Sequence, residues 1–242
     1  MVAAFGLRKL DAVEPQQPTP SRGEVIARYR QLRAISKRHH SGVMKFLTHG
    51  AILHHARRLG LAEGRTIVVD QMDDLDMAMD LAIHTAPEGR SRAIDRYARS
   101  SRFAPGSDEA LTLEAMQQAR FGILGVERRH PSAGLIVLDL FRNVELWLVD
   151  EGLEISLPEG TAYATRYYQP EYFAMTAGVG MPIDSGLMAS VLDAAPQLQR
   201  RKSQLAALED RRFAETLYRT AVASGATAGV AHQDVPDPGE VA

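Results

Sequence analysis

Residues 119–177 read ARFGILGVERRHPSAGLIVLDLFRNVELWLVDEGLEISLPEGTAYATRYYQPEYFAMTA. Apolar and β-branched runs alternate there with HPSAG (130–134), RN (142–143), DEG (150–152), PEG (158–160) and YQPE (168–171). Short apolar runs between turn-forming residues are the pattern of antiparallel strands joined by tight connections. The punctuation predicts strands near 121–129, 134–140, 144–150, 153–157, 161–168 and 171–177. About six short strands leave exposed edges unless the sheet curls or closes. The expectation is therefore a small antiparallel β-barrel or a strongly curved sheet. The AGVG of residues 177–180 reads as the end of the last strand.

On both sides of this stretch the apolar period becomes helical. Upstream, Ser21 and Glu24 have capping-box spacing. Val25, Ile26, Tyr29, Leu32 and Ile35 recur at three and four residues, which predicts a helix to about His40, broken by Ser41-Gly42. A second helix follows from Val43 to Leu59, with Gly60 placed for a left-handed C-terminal residue. Thr66–Val69 is a short extended run. Asp70 caps a helix through His84, and two more helices are expected near 91–100 and 107–119. Downstream, a short helix over 186–194 precedes a long one from Pro196 to Ser224. The fold class is α+β. A flexible lead-in (1–20) precedes a helical subdomain (21–119), the β region (120–184), C-terminal helices (185–224) and a tail (225–242) too poor in large apolar residues to pack.

The 242 residues are 45% hydrophobic and 24% charged, an ordinary globular balance. A formal net charge of −2 opposes nucleic-acid binding by bulk charge and leaves room for a local basic patch. The chain has no cysteine, which excludes disulfides, thiol catalysis and cysteine-ligated metal. No apolar run reaches membrane-spanning length and the N-terminus does not have signal-peptide form, so the expected location is the cytoplasm, with no membrane partner.

Charge is laid out unevenly. Between residues 21 and 58 nine basic side chains face one acidic one, a local +8, and residues 90–102 add a local +4. Arg28, Arg33, Lys37, Arg38, Arg57 and Arg58 are the residues expected to meet phosphates if this face binds nucleic acid. The alternative for them is a solvated, internally paired helix face. Residues 63–80 carry a local −5. There Asp76, Asp80 and His84 stand at i, i+4 and i+8, a stripe that could ligate a divalent cation. The same stripe also reads as the wet side of an amphipathic helix, opposite Met72, Leu75, Met79 and Ile83. His39, His40, His49, His54 and His55 lack the spacing of a helical zinc pair, though His40 and His55 could meet between packed helices. In the β region Arg166, Tyr168 and Tyr172 are the candidate ligand-binding set, aromatic faces beside a cation. No G-x-S-x-G elbow or glycine-rich phosphate loop is present.

GLIVLDL at Gly134–Leu140, with Leu135, Val137 and Asp139, and LPEGTAYATR at Leu157–Arg166, with Pro158, Gly160 and Ala164, resemble a small β-barrel module. That module belongs to uncharacterised bacterial proteins, some of them carrying SEC-C-type zinc tails. HHARRLGL at residues 54–61 resembles the helical half of the same proteins. The resemblance spans about residues 25–184. It implies the architecture and supplies no activity, and the cysteine-bearing tail is missing here. The functional expectation is a non-catalytic binding or regulatory protein that recognises a protein or small ligand at the cleft between barrel and helices. Its alternatives are a nucleic-acid-associated factor using residues 22–58 and a metal-dependent hydrolase using the Asp/His stripe. No cofactor is required by any motif, and the C-terminal helix is a candidate homodimer contact.

Overall fold

The computed structural model describes residues 20–69, 72–196 and 211–226. At its start the capping box forms as the spacing requires. Glu24 N–H donates to Ser21 Oγ, and Ser21 N–H donates to the Glu24 carboxylate at 2.8 Å. It opens α1 (Arg22–Met44), which buries Val25, Tyr29, Leu32, Ile35 and Val43. The helix does not break at Ser41-Gly42. A Cβ at position 42 would lie 2.5 Å from Cε2 of Tyr97, so glycine here admits an aromatic ring against a continuous helix. The next helix, α2 (His49–Leu59), therefore begins later than its apolar pattern suggests, capped by Thr48. Gly60 closes it with a φ of 84°.

β1 (Ala62–Glu63) and β2 (Thr66–Ile67) form a minimal hairpin. Then come α3 (Met72–His84), α4 (Ala93–Ser100) and α5 (Asp108–Gln117), the last capped by Ser107. The expected Asp70 cap lies outside the described residues. So do the lead-in to residue 19, residues 197–210 of the expected long helix, and the tail from 227 onward.

The large sheet has five strands, β3 (Arg120–Arg129), β4 (Leu135–Asp139), β5 (Val144–Leu148), β6 (Ala162–Tyr168) and β7 (Met175–Ile183). They lie in the order β5-β4-β3-β6-β7, and every neighbouring pair is antiparallel. The strand expected at 153–157 is instead α6 (Glu151–Ser156). Asp150 Oδ1 accepts from Leu153 N at 3.1 Å, and Glu151 adds negative charge to the first turn, so DEG starts a helix rather than a hairpin. The last strand runs on through Gly178 and Gly180 to Ile183, because the Tyr163 ring lies flat against Gly180.

Asp139 organises the β4–β5 turn. It is fully buried. Oδ1 accepts from the N–H groups of Phe141 and Arg142, and Oδ2 accepts from Arg142 Nη1 and Tyr167 OH, both at 2.8 Å. Asn143 completes the turn with a φ of 53°, a conformation that asparagine tolerates.

The sheet curls without closing into a barrel. Register shifts between Val126 and Arg128 and between Thr165 and Tyr167 add twist. The two edges meet at a single point, where Val149 N–H donates to Ala174 O (2.9 Å) and Ala174 N–H to Trp147 O (2.7 Å).

Two apolar clusters pack the helices on the sheet. One joins α2, α3, α7 (Ser185–Ala194) and α8 (Arg211–Ser224) to Phe121, Ile123, Ala164 and Met181. The other joins α1, α4 and α5 to Tyr168, Phe173 and Met175. A third fills the opposite sheet face around Leu124, Val137, Tyr163 and Tyr167, with Leu153 of α6 upon it. Phe213, Leu217 and Tyr218 of α8 are buried in the first cluster. No described helix is long and apolar enough to cross a membrane.

Candidate functional site

β6 is buried on both faces, so its alternation sorts side chains between two interiors. Tyr163 and Tyr167 point to the third cluster, and Arg166 and Tyr168 point to the helices. Arg166 meets Asp80 of α3 in a two-pronged pair, Nε to Oδ1 at 2.7 Å and Nη2 to Oδ2 at 2.9 Å. Tyr218 of α8 donates to Asp80 Oδ2 at 3.1 Å, and the Arg166 guanidinium lies 5.7 Å from the centre of the Phe121 ring. Relative exposures of 5% for Asp80, 6% for Arg166 and 0% for Tyr218 place the group in the interior. Burial pulls the Arg166 pKa down, but the charge and hydrogen bonds of Asp80 outweigh it and hold the guanidinium ionised.

Three histidines surround this pair. Burial pushes His84 well below the ordinary histidine range, and the charge of Arg166 pushes the same way. Burial lowers His40 to about 4, helped by Arg33 and opposed by Asp80. It also lowers His55 to about 4, with His54 adding to the shift. Nδ1 of His55 and of His84 have no hydrogen-bond partner. Neither does Tyr168 OH, although Ser36 and Arg33 lie close enough to bias its ionisation. The polar seam thus runs between the two helical cores. It brings together residues that the sequence left scattered over α1, α2, α3, β6 and α8.

This geometry corrects two expectations. Asp80 and His84 are not on a wet face, and both Asp80 oxygens are held by Arg166, which leaves the Asp76–Asp80–His84 stripe without a shared ligand centre. Among the described residues no three histidine, aspartate or glutamate side chains gather in a group fit to hold a metal. Arg166 and Tyr168 are interior, while Tyr172 is 50% exposed beside Trp147 and Phe173, so these three share no surface.

The basic face is also largely consumed. Arg28 grips Asp108 and Glu171 together, and both pairings raise its pKa. Arg22 pairs with Glu154, Arg30 with Glu151, and Arg58 with Glu215 at 2.5 Å. Arg33 Nη1 donates to Thr176 O at 2.7 Å, and Arg57 donates to Gly64 O. Of the six residues expected to meet phosphates, only Lys37 and Arg38 face an open recess.

That recess is a cleft of about 600 Å³ between the C-terminal halves of α1 and α4. Lys37, Arg38 and Lys45 supply its cations, Ser41, Ser100 and Ser101 its hydroxyls, and Phe46 and Tyr97 its aromatic wall. No ion pair among the described residues holds Lys37 or Lys45. Arg38 reaches Glu109 only at 3.5 Å, with the two side chains 64% and 39% exposed, a pair worth at most about 1 kcal/mol. The helix ends facing the cleft contribute about −0.5 charge each. Three cations against two helix ends and Glu109 still leave a local excess of about +1.

Tyr97 is fixed by what lies behind it. The buried His39 ring bonds Glu109 O through Nε2 at 2.9 Å and meets Tyr97 OH through Nδ1 at 3.0 Å. Since a carbonyl only accepts, Nε2 carries the proton and Tyr97 OH donates to Nδ1. Burial lowers the His39 pKa, which keeps this neutral form in place. The sequence reading does not single out Tyr97 or Ser101. The available signal was their four-residue spacing in RYARSSR opposite a mid-helix glycine.

The sequence profile of a family of unknown function, DUF7986, matches residues 23–226. The chain belongs to this family. The DUF7986 match begins in the first turn of α1 and ends just beyond α8, so the seam and the cleft both lie within the family's span. No curated protein and no solved structure matches the chain.

Proposed function

We propose that this DUF7986 protein is a binding protein, not a catalyst, and that it takes an anionic ligand in the α1–α4 cleft. One observation carries the reading. Lys37, Arg38 and Lys45 converge on an open recess, while Arg22, Arg28, Arg30 and Arg33 of the same helix are engaged within the chain. The described lining includes no carboxylate or imidazole that would act as a general base. The volume falls in the usual range of small-ligand pockets. This reading puts the ligand in the α1–α4 cleft rather than at the sheet–helix junction, where Arg166 and Tyr168 are buried.

Calorimetric titration of the full chain with pyrophosphate is the test. Saturable binding is expected, weakened at least about tenfold by Lys37→Gln combined with Lys45→Gln. Absence of binding to the wild type at low salt would discard the proposal. Nucleic acid is the second reading, since Lys37 and Arg38 belong to both. It requires retention on heparin with a salt slope of about two to three phosphates, and a chain that flows through heparin yet binds pyrophosphate excludes it. Kinship with the bacterial SEC-C-type proteins is proposed on the Gly134–Leu140, Leu157–Arg166 and His54–Leu61 stretches.

A further inference from the structure

We infer that the α1–α4 cleft recognises a phosphate monoester carried on a polyhydroxylated skeleton, rather than a bare anion. The inference rests on the binding role proposed for this cleft, and it follows from counting donors and acceptors there.

Every neutral hydroxyl in the cleft has already committed its hydrogen. Ser41 Oγ donates to Lys37 O at 3.1 Å. Ser100 and Ser101 both donate to Tyr97 O, at 2.8 and 2.9 Å. Tyr97 OH donates to His39 Nδ1. A hydroxyl that donates inward keeps its oxygen lone pairs as acceptors. The neutral part of the cleft therefore offers acceptors only, and its sole free donors are the charged N–H groups of Lys37, Arg38 and Lys45.

A ligand that satisfies both halves carries acceptor oxygens with negative charge and, next to them, hydrogen-bond donors. Three cations suit a phosphate monoester, which brings close to two charges and three strong acceptor oxygens. The serine and tyrosine oxygens suit hydroxyl groups on adjacent carbons. Phe46 and Tyr97 pack edge to face, with ring centres 5.9 Å apart, and form a wall for the C–H face of a sugar ring. A bare anion would meet the cations and leave those acceptors to water. A carboxylate would bring one charge to three cations.

The test is calorimetric titration of the full chain with four probes: inorganic phosphate, ribose, ribose 5-phosphate and adenosine 5′-monophosphate. Ribose 5-phosphate should bind at least about tenfold more tightly than inorganic phosphate, and ribose should not bind measurably. Ser41→Ala combined with Ser101→Ala should bring ribose 5-phosphate down to the level of inorganic phosphate. Adenosine 5′-monophosphate binding more tightly still would assign the skeleton to a nucleoside, and equal binding would assign it to a sugar phosphate. If inorganic phosphate binds as tightly as ribose 5-phosphate to the wild type, the inference is overturned while the anion-binding role stands. If none of these phosphates binds, the inference is overturned, and if pyrophosphate also fails to bind, both fall together. The wild-type comparison decides alone should the serine variant fold poorly.

Discussion

Replacing Asp80 by alanine should be among the most damaging single changes in this chain. The side chain accepts two hydrogen bonds from Arg166 and one from Tyr218, and it is 5% exposed. Its removal leaves a guanidinium in the interior with the Phe121 ring as its nearest compensation, and leaves Tyr218 OH without an acceptor. An uncompensated buried charge costs about 3–5 kcal/mol, and an orphaned buried hydroxyl about 1–3 kcal/mol more, partly overlapping. A loss of about 4 kcal/mol is a large share of a domain stability of about 5–15 kcal/mol. With a urea slope of about 2 kcal/mol/M, it moves the unfolding midpoint by about 2 M. Urea titration followed by the fluorescence of Trp147, the only tryptophan, reads this directly. The double variant Asp80→Leu with Arg166→Met removes both charges and should recover most of the loss. If Asp80→Ala costs less than about 1 kcal/mol, the pair behaves like a surface ion pair, and the seam is not a buried one.

Three further outcomes are expected. The folded-state values of His40, His55 and His84 lie below the ordinary value of about 6.5, so the unfolded chain binds more protons as pH falls through that value toward 4. Stability should therefore be complete above pH 6.5 and decline toward pH 4, more steeply than the roughly 1.4 kcal/mol per pH unit of a single group. Urea midpoints between pH 7 and 4.5 that stay level would contradict the burial of these rings. Gly42→Ala gains about 1 kcal/mol in helix propensity but sets a Cβ 2.5 Å from the Tyr97 ring, an overpacking that costs about 1–3 kcal/mol. A net loss is expected in thermal melts, and a rise in Tm would mean that Tyr97 does not pack there. Gly134→Ala combines a φ of 79° with a Cβ driven into the Leu148 backbone, and should cost more than 2 kcal/mol or prevent folding, as read by soluble yield and circular dichroism.

Local chemistry carried much of the fold into the sequence. The capping box at Ser21–Glu24, the Ser107 cap and the left-handed Gly60 are interactions within a few residues, and each stands where its spacing puts it. Two departures from the local signals share a cause, which is a distant partner overriding them, while a third is settled locally. Ser41-Gly42 looks like a helix break until Tyr97, 55 residues away, fills the glycine notch. Gly178 and Gly180 look like a strand end until Tyr163 covers Gly180. Residues 150–152 look like a hairpin turn, although an aspartate followed by a glutamate is also a helix start, and the side chain of Asp150 decides between the two.

The site was legible as an inventory and illegible as an arrangement. The local +8 of residues 21–58 is correct as a count, and by itself it suggests a broad basic interface. Pairing decides otherwise. Arg28 finds its acids 80 and 143 residues away, and Arg58 finds Glu215 157 residues away. No pattern within the helix foretells those partners. After pairing, the excess contracts to the last turns of α1, where Lys37, Arg38 and Lys45 remain open to the cleft. The acidic stripe contracts in the same way, with Asp80 turned inward by Arg166, 86 residues on. α1 thus separates two environments along one rod. Ser36 is buried toward the seam with Arg33 and His40 half-buried beside it, and Lys37, Arg38 and Ser41 face solvent across the same turns. A ligand that draws on the outer set presses on a helix whose inner side is held through Arg33 to Thr176 O. Ligand affinity measured between pH 7 and 5 should accordingly weaken in step with the acid destabilisation of the seam. An affinity that holds constant while the urea midpoint falls would show that the two faces of α1 act independently.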